Sequence, residues 1–396
     1  MFLLATETWR SDGGVQRYMR ILCQILTQRG RGLITLLDDP GDRPIEHEGA
    51  LCCGGGKWKF VLTLTRESWK RPQSAAIVGH TSLLPVVWVL RKLGMLGRYA
   101  VVLHGIEAWG RLPWPARAAA GAACAVVATT EYTAREFCYY NGIDLAKSAI
   151  IPLANSLTVA VSAKPPGDSL RLLAVTRMSR SDGYKGIEFV LEAVRTARKW
   201  GTNVTLEIIG DGDDRPRLEE LAGRLRILDI VHFQGRTTDQ TLRDTLSHSH
   251  VFVLPSKKEG FGLVYLEAMA AGLPCIAANY GGVPEVVEHG RDGFLVEYGD
   301  FRRMAFYLRV LAEAPKLYLD MSEAARRRAA SFSLAAMQRS WEALAVRLES
   351  AVGVNVPVRP ANNMTAPPPP ARNPIFRGGH KRATAPDGRR NILRGT

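Results

Sequence analysis

The sequence predicts an α/β protein made of two doubly wound parallel-sheet, Rossmann-like domains facing a cleft, and three observations carry that expectation. First, short β-type apolar runs alternate with helical patterns along most of the chain, the mark of parallel sheets covered by helices. Second, these runs form two sets: 2–5, 33–37, 75–78, 99–103, 125–128 and 149–151, then 171–175, 204–209, 230–233, 251–254 and 275–277. Third, between the sets lies 161–168, centred on Lys164-Pro165-Pro166-Gly167, a short polar stretch that reads as an interdomain linker. The expected domains are therefore 1–160 and 169–332, with a cleft between them suited to a two-substrate enzyme. A last helical pattern with Trp341 and Leu344 makes 333–351 a closing helix. No internal repeat interrupts this order.

Composition bounds the class. With 396 residues and 46% hydrophobic content, the chain has room for two domains that each bury a core. Its net charge is +14, and about half of that excess lies in 352–396, where eight Lys or Arg face one Asp. With a proline run at 367–370 and few large apolar residues, this tail cannot repay its ordering entropy and is expected to be disordered. The folded part shows no nucleic-acid module, and the tail has only Phe376 for stacking, so no nucleic-acid partner is expected. Anionic lipid headgroups suit it better, at roughly 1 kcal/mol per basic residue near the surface. Cys23, Cys52, Cys53, Cys124, Cys138 and Cys275 show no metal-ligand spacing and read as free thiols in a reducing compartment. Residues 1–5 are too short for a signal peptide, and Arg91, Lys92 and Arg98 break the longest apolar region, 83–103. The expectation is a cytoplasmic protein working at a membrane face.

Residues 259–272 read E-G-F-G-L-V-Y-L-E-A-M-A-A-G. If the helix begins near Leu263, Glu267 lies in its first turns and Glu259 on the preceding loop, so the two acids face one ligand from different heights. Gly260 and Gly262 let the backbone approach, and the helix start offers amide donors to a phosphate. Carboxylates for hydroxyls and amides for a diphosphate suit a sugar nucleotide. The plainer alternative is a pair of solvated helix-end charges. The following apolar run, 273–278, and the loop N-Y-G-G-V-P-E, 279–285, place the acids at the carboxyl end of a parallel sheet, where such folds bind ligands.

With its Glu, seven residues and second Glu, its F-G-L, its E-A-M-A-A-G-L-P and its G-G-V-P-E, the segment resembles the large family of retaining glycosyltransferases with the GT-B fold (glycosyltransferase family 4, glycosyl transferases group 1). The resemblance implies that Glu259 binds hydroxyls of the donor sugar and Glu267 the ribose, with Gly260, Phe261, Gly262 and Leu263 lining the donor. In R-M-S-R-S-D-G-Y-K-G, Arg177 ends a strand and Lys185 precedes a helix. Two cations there suit a departing diphosphate in place of a metal, and the family carries an Arg and a Lys-Gly pair in this region, although eight positions separate them here, more than is common. Gly210, Asp211 and Gly212 border the nucleobase in the family; read alone, they make an equally good tight turn, and they lack the third glycine of a dinucleotide loop. Gly13 and Gly14 open a helix after the first strand and can present amides to phosphate or sugar; in the family they touch donor phosphate and acceptor. His104, read alone, is a capping residue after an apolar strand; by the resemblance it lies beside the transferred sugar, and Glu107, following closely in the chain, is expected near the acceptor.

The implied reaction moves a hexose from a nucleotide diphosphate sugar to a saccharide or polyprenyl-linked acceptor, in surface polysaccharide or glycolipid synthesis, with retention, no metal and no cofactor. Retention without an evident nucleophile implies a same-face displacement in which the departing phosphate takes the acceptor's proton. A nucleotide-sugar epimerase of the same fold and a non-catalytic relative remain as alternatives; a pyridine-nucleotide enzyme would need the missing complete G-x-G-x-x-G. For the acceptor side, an apolar and basic helix at 83–96 with Trp88, Arg91 and Lys92, and a cluster of Trp58, Lys59, Trp69, Lys70 and Arg71, suit a membrane interface. Basic side chains snorkelling from buried helices are the alternative.

Overall fold

The computed structural model describes residues 1–11, 13–27, 32–47, 49–155 and 165–350. The expected linker therefore falls partly, at 161–164, outside the described residues, and the tail 352–396 wholly so.

The first sheet has seven parallel strands: β1 (Phe2–Ala5), β2 (Gly32–Thr35), β3 (Leu51–Cys52), β4 (Ser74–Val78), β5 (Leu96–Leu103), β6 (Ala125–Ala128) and β7 (Ser148–Ile150). Their order is β3-β2-β1-β4-β5-β6-β7. The helices among them are α1 (Gly14–Thr27), α2 (Lys57–Lys70), α3 (Leu84–Lys92), α4 (Trp114–Ala122) and α5 (Glu131–Asn141). The second sheet has six parallel strands: β8 (Leu170–Val175), β9 (Val204–Ile209), β10 (Val231–Gly235), β11 (Val251–Leu254), β12 (Cys275–Ala278) and β13 (Gly293–Val296), ordered β10-β9-β8-β11-β12-β13. Its helices are α6 (Ile187–Lys199), α7 (Arg215–Arg224), α8 (Asp239–His248), α9 (Leu263–Ala270), α10 (Phe301–Glu313) and α11 (Pro315–Ser331), and α12 (Leu334–Glu349) ends the described chain.

Strands β1, β6, β11 and β12 are buried along their whole length. That is why they read as unbroken apolar runs: a parallel strand with helices on both faces has no solvent side to supply alternation. Some helix starts are marked by short oxygen-bearing side chains. Thr130 accepts from the Thr133 amide ahead of α5, and Ser333 from the Ala336 amide ahead of α12.

Three elements differ from the sequence reading. The sequence reading does not include the edge strands β3, two residues long, and β13, which follows the turn-forming stretch G-R-D-G. The helix expected over 83–96 ends at Lys92, because the chain turns there and Leu96 already opens β5.

Each sheet reverses its strand order once, between β1 and β4 and between β8 and β11, and the crevice at such a reversal is where open α/β sheets bind ligands. The loops after β1, β4, β8 and β11 therefore build the site. Helix α12 packs on α1, β4 and β5 of the first domain, where Trp341 is fully buried and meets the Tyr18 ring edge-on at 6.3 Å. Ahead of it, the Asn155 amide donates to the Phe332 carbonyl at 3.0 Å. None of the six cysteines is in a disulfide, and only Cys124 is exposed. Among the described residues no helix is long and apolar enough to cross a membrane.

Trp341→Ala should remove about 3–5 kcal/mol of stability, read from denaturant midpoints. An unchanged midpoint would show that α12 does not hold the first domain.

Candidate functional site

At the second sheet's reversal point, the loop after β8 carries Arg177 and Lys185 and the loop after β11 carries Glu259. The Lys185 ammonium donates to Glu259 Oε2 at 2.7 Å, tying the two loops together, and both side chains are about one-fifth exposed. Arg177 is 68% exposed and donates through Nε to buried Asp182. Burial pushes the Asp182 carboxyl up, but bonds from Arg177 and Tyr184 outweigh it and hold the group below the usual range. The Tyr184 ring carries two ammonium groups, Lys185 and Lys258, each 5.5 Å from its centroid. Helix α9 follows Gly262, has no side-chain cap at its start and so turns main-chain donors toward this corner.

At the first sheet's reversal point, Asp38 is fully buried, and its carboxylate accepts from the amides of Thr8, Trp9 and Arg10 at 2.9 to 3.1 Å. Those bonds fold the loop that delivers Gly13 and Gly14 to the start of α1. His104 follows β5, and its Nε2 lies 2.7 Å from the Gly79 carbonyl after β4. A carbonyl only accepts, so Nε2 carries the proton and Nδ1 is left as an acceptor. Burial lowers the His104 pKa and keeps the ring neutral, while Glu107 pulls the other way. Glu107 Oε1 accepts from the His104 and Gly105 amides at 2.6 and 3.2 Å. Its carboxylate thus shapes the His104 turn, a use that the expected acceptor role did not include.

The two corners meet. Arg17, one turn into α1, forms an ion pair across the cleft with Glu267 on α9. Burial raises the Glu267 pKa, with Arg17 opposing. Beside this pair the backbones touch: a Cβ on Gly260 would strike the His104 carbonyl oxygen and come within 2.6 Å of the Gly105 Cα, and one on Gly105 would come within 2.9 Å of the Gly260 Cα. Thr130 Oγ1 donates to the Gly260 carbonyl at 2.9 Å. Glu285, from the G-G-V-P-E loop, accepts from the Glu131 and Tyr132 amides at 2.7 and 2.8 Å, capping α5 from the opposite domain. Burial raises its pKa as well.

The structure thus brings Gly13, Gly14, His104, Lys185, Glu259, Gly260 and Glu267 to one junction. Phe261 departs from the expected lining role: its side chain is 3% exposed and packs edge-on against Phe332, leaving only its main chain toward the cleft. Leu263 is half-buried against the core. Gly210 and Gly212 have φ of 131° and 157°, and a Cβ on either would strike the carbonyl oxygens of Thr176 or Met178. Their glycine identity follows from that tight packing, and the exposed Asp211 bonds its own loop at the Gly212 amide. Sequence reasoning passed over Arg17, Asp38, Asp182, Thr130 and Glu285. Of these, Asp182 and Glu285 sat inside quoted motifs and Arg17 just beyond the Gly13-Gly14 pair; Asp38 and Thr130 act through contacts 30 and 130 residues away along the chain.

Residues 163–328 match the family model described as glycosyl transferases group 1. An uncharacterized glycosyltransferase of Haemophilus influenzae is 35% identical over 162 residues, covering 41% of this chain and 45% of the relative. The N-acetyl-alpha-D-glucosaminyl L-malate synthase of Bacillus anthracis is 37% identical over 145 residues, covering 36% and 38%. The matches thus span less than half the length of these curated relatives. Over the whole fold, the crystal structure of Anabaena Alr3699/HepE in complex with UDP superposes with a TM-score of 0.73 at 18% identity, covering 87% of this chain and 99% of that one. The two-sheet architecture is the GT-B fold.

Gly260→Ala should hold the domains apart at the junction while leaving each sheet folded. Small-angle scattering should show a larger radius of gyration with unchanged circular dichroism; equal radii would mean that the Gly260 approach does not set closure.

Proposed function

With a glycosyl transferases group 1 domain over 163–328 in a chain of GT-B fold, we propose that the protein is a retaining, metal-independent glycosyltransferase. It moves a hexose from a nucleotide diphosphate sugar to a saccharide or lipid-linked acceptor, in surface polysaccharide or glycolipid synthesis. The observation that carries the reading is the pairing of both acids of the Glu-x7-Glu segment with cations from two directions, Glu259 with Lys185 and Glu267 with Arg17 across the cleft. The Anabaena neighbour's complex with UDP supports a nucleotide-sugar donor.

Donor binding exchanges partners within these pairs. Lys185 and Arg177 turn to the diphosphate, whose charge grows as the glycosidic bond breaks, and preorganised cations stabilise that charge without reorganisation. Main-chain donors at the start of α9 and at Gly13-Gly14 add to them. Freed of Lys185, Glu259 accepts from sugar hydroxyls, and Glu267 accepts from the ribose. His104, neutral and fixed by Gly79, offers Nδ1 to a sugar hydroxyl near the reacting carbon. The acceptor oxygen then attacks on the face the diphosphate leaves, and the departing phosphate takes its proton. The protein's part is position and charge.

Calorimetry with UDP, GDP, ADP, CMP and their common sugars should find one nucleotide that binds equally in EDTA, at least tenfold more weakly to Glu267→Ala and Lys185→Ala, a loss of about 1.4 kcal/mol or more. Affinity should fall on acidification from a pH above the ordinary glutamate range, because burial raises the Glu267 pKa and it is the carboxylate form that accepts the ribose hydroxyls. An NMR coupling constant on the product should report the donor's own anomeric configuration. No nucleotide binding would remove the reading, release of free sugar without acceptor would favour the epimerase, and an inverted product would refute retention.

A further inference from the structure

Helix α2 stands outside the donor site and presents a face that the catalytic reading does not use. Phe60, Leu64 and Ser68 are buried against the first sheet. On the outer side, Trp58, Leu62 and Trp69 are 81%, 67% and 80% exposed. At about 100° per residue these three lie within about 40° of one another around the helix axis, so they form one stripe two to three turns long. Beside that stripe lie Lys59, Arg66 and Lys70. Glu67 is the only acid on the helix, and it is engaged by Lys70 at 2.6 Å. Lys57, Lys59 and Arg66 form no ion pair among the described residues, Glu67 being bonded to Lys70.

Helix α3, the other basic and apolar segment, differs. Its Arg91 bonds the Gly97 carbonyl at 3.1 Å and stacks over Tyr99, and Lys92 folds over the half-buried Trp88. Those cations serve the protein itself, whereas the α2 cations point to an outside anion. Helices α2 and α3 cover the same face of the first sheet, and the turns that follow them are tied where the Gln73 side chain donates to the Gly94 carbonyl at 2.6 Å. Leu93, 67% exposed, and Val89, 49% exposed, are further apolar side chains open to solvent on α3 and the turn after it.

We infer that the outer face of α2 seats the protein on an anionic lipid bilayer, with Trp58, Leu62 and Trp69 entering the interface and Lys57, Lys59 and Arg66 meeting the headgroup charge. Indole rings suit the headgroup boundary, and apolar insertion next to unpaired cations is how an interfacial helix binds. Charge separates this occupant from the others. A second copy would bring the same cations against each other, and the chain's own segment 352–396 carries eight Lys or Arg against one Asp, which repels this face. An anionic surface answers both the apolar stripe and the charge. The inference does not depend on the donor-site reading.

The test uses the full chain with vesicles of equimolar phosphatidylglycerol and phosphatidylcholine, and with phosphatidylcholine alone. Co-sedimentation should show binding to the anionic vesicles only, with tryptophan fluorescence quenched by brominated acyl chains. W58S/L62S/W69S should weaken binding by about tenfold or more and abolish the quenching, with nucleotide affinity and circular dichroism unchanged. K59E/R66E should weaken binding about fivefold per charge at low salt. The inference fails if the wild type does not bind, or if the triple variant binds and is quenched like the wild type, since the tail or another face would then carry the attraction. It also fails if sedimentation equilibrium finds a dimer that the triple variant splits, which would give the stripe to a second copy.

Discussion

The contact on which the rest of the structure depends is the approach of the Gly260 backbone to His104 and Gly105. No side chain fits between these loops. Because the main chains touch there, the loop after β11 lies directly against the loop after β5, and the reversal points of the two sheets share one crevice. A residue with a Cβ at Gly260 would push these loops apart, and every group described around the junction depends on that separation: Arg17 reaches Glu267 and Thr130 reaches the Gly260 carbonyl only when the domains stand this close.

Polar bonds surround that contact, beside an aromatic one between Tyr132 of the first domain and Tyr280 of the second, 6.2 Å apart. Arg17–Glu267, Thr130 with Gly260, and Glu285 at the start of α5 all cross between the domains, and each pairs a buried or half-buried polar group that would be costly to leave unmatched. Glu285 gains from the positive end of α5 as well as from two amides. The continuous apolar attachment is made instead by α12, through Trp341 and Tyr18. The fold thus separates a permanent joint at α12 from a polar junction at the ligand crevice.

Much of this was legible in the sequence because parallel strands buried on both faces leave continuous apolar runs. The edges are harder to read: β3 has only two residues, and β13, though as long as β1 or β6, runs straight out of the turn-forming stretch G-R-D-G. The site was legible where chemistry sits in one contiguous stretch, as in E-G-F-G-L-V-Y-L-E. It was not legible where a role comes from a distant partner. Asp38 in L-L-D-D-P looks like a turn residue, yet its carboxylate organises the loop after β1. Phe261 shows the converse: its place in a motif suggested ligand contact, and the fold uses the ring as core against Phe332.

The central claim is that one ligand is held by both domains around the Gly260 junction. Hydrogen exchange read by mass spectrometry, with and without a saturating nucleotide diphosphate sugar, tests it most directly. The account predicts slowed exchange in four segments at once: the start of α1 near Gly14 and the His104 turn in the first domain, and the Lys185 loop and the start of α9 in the second. Protection confined to one domain, or centred away from these loops, would contradict it.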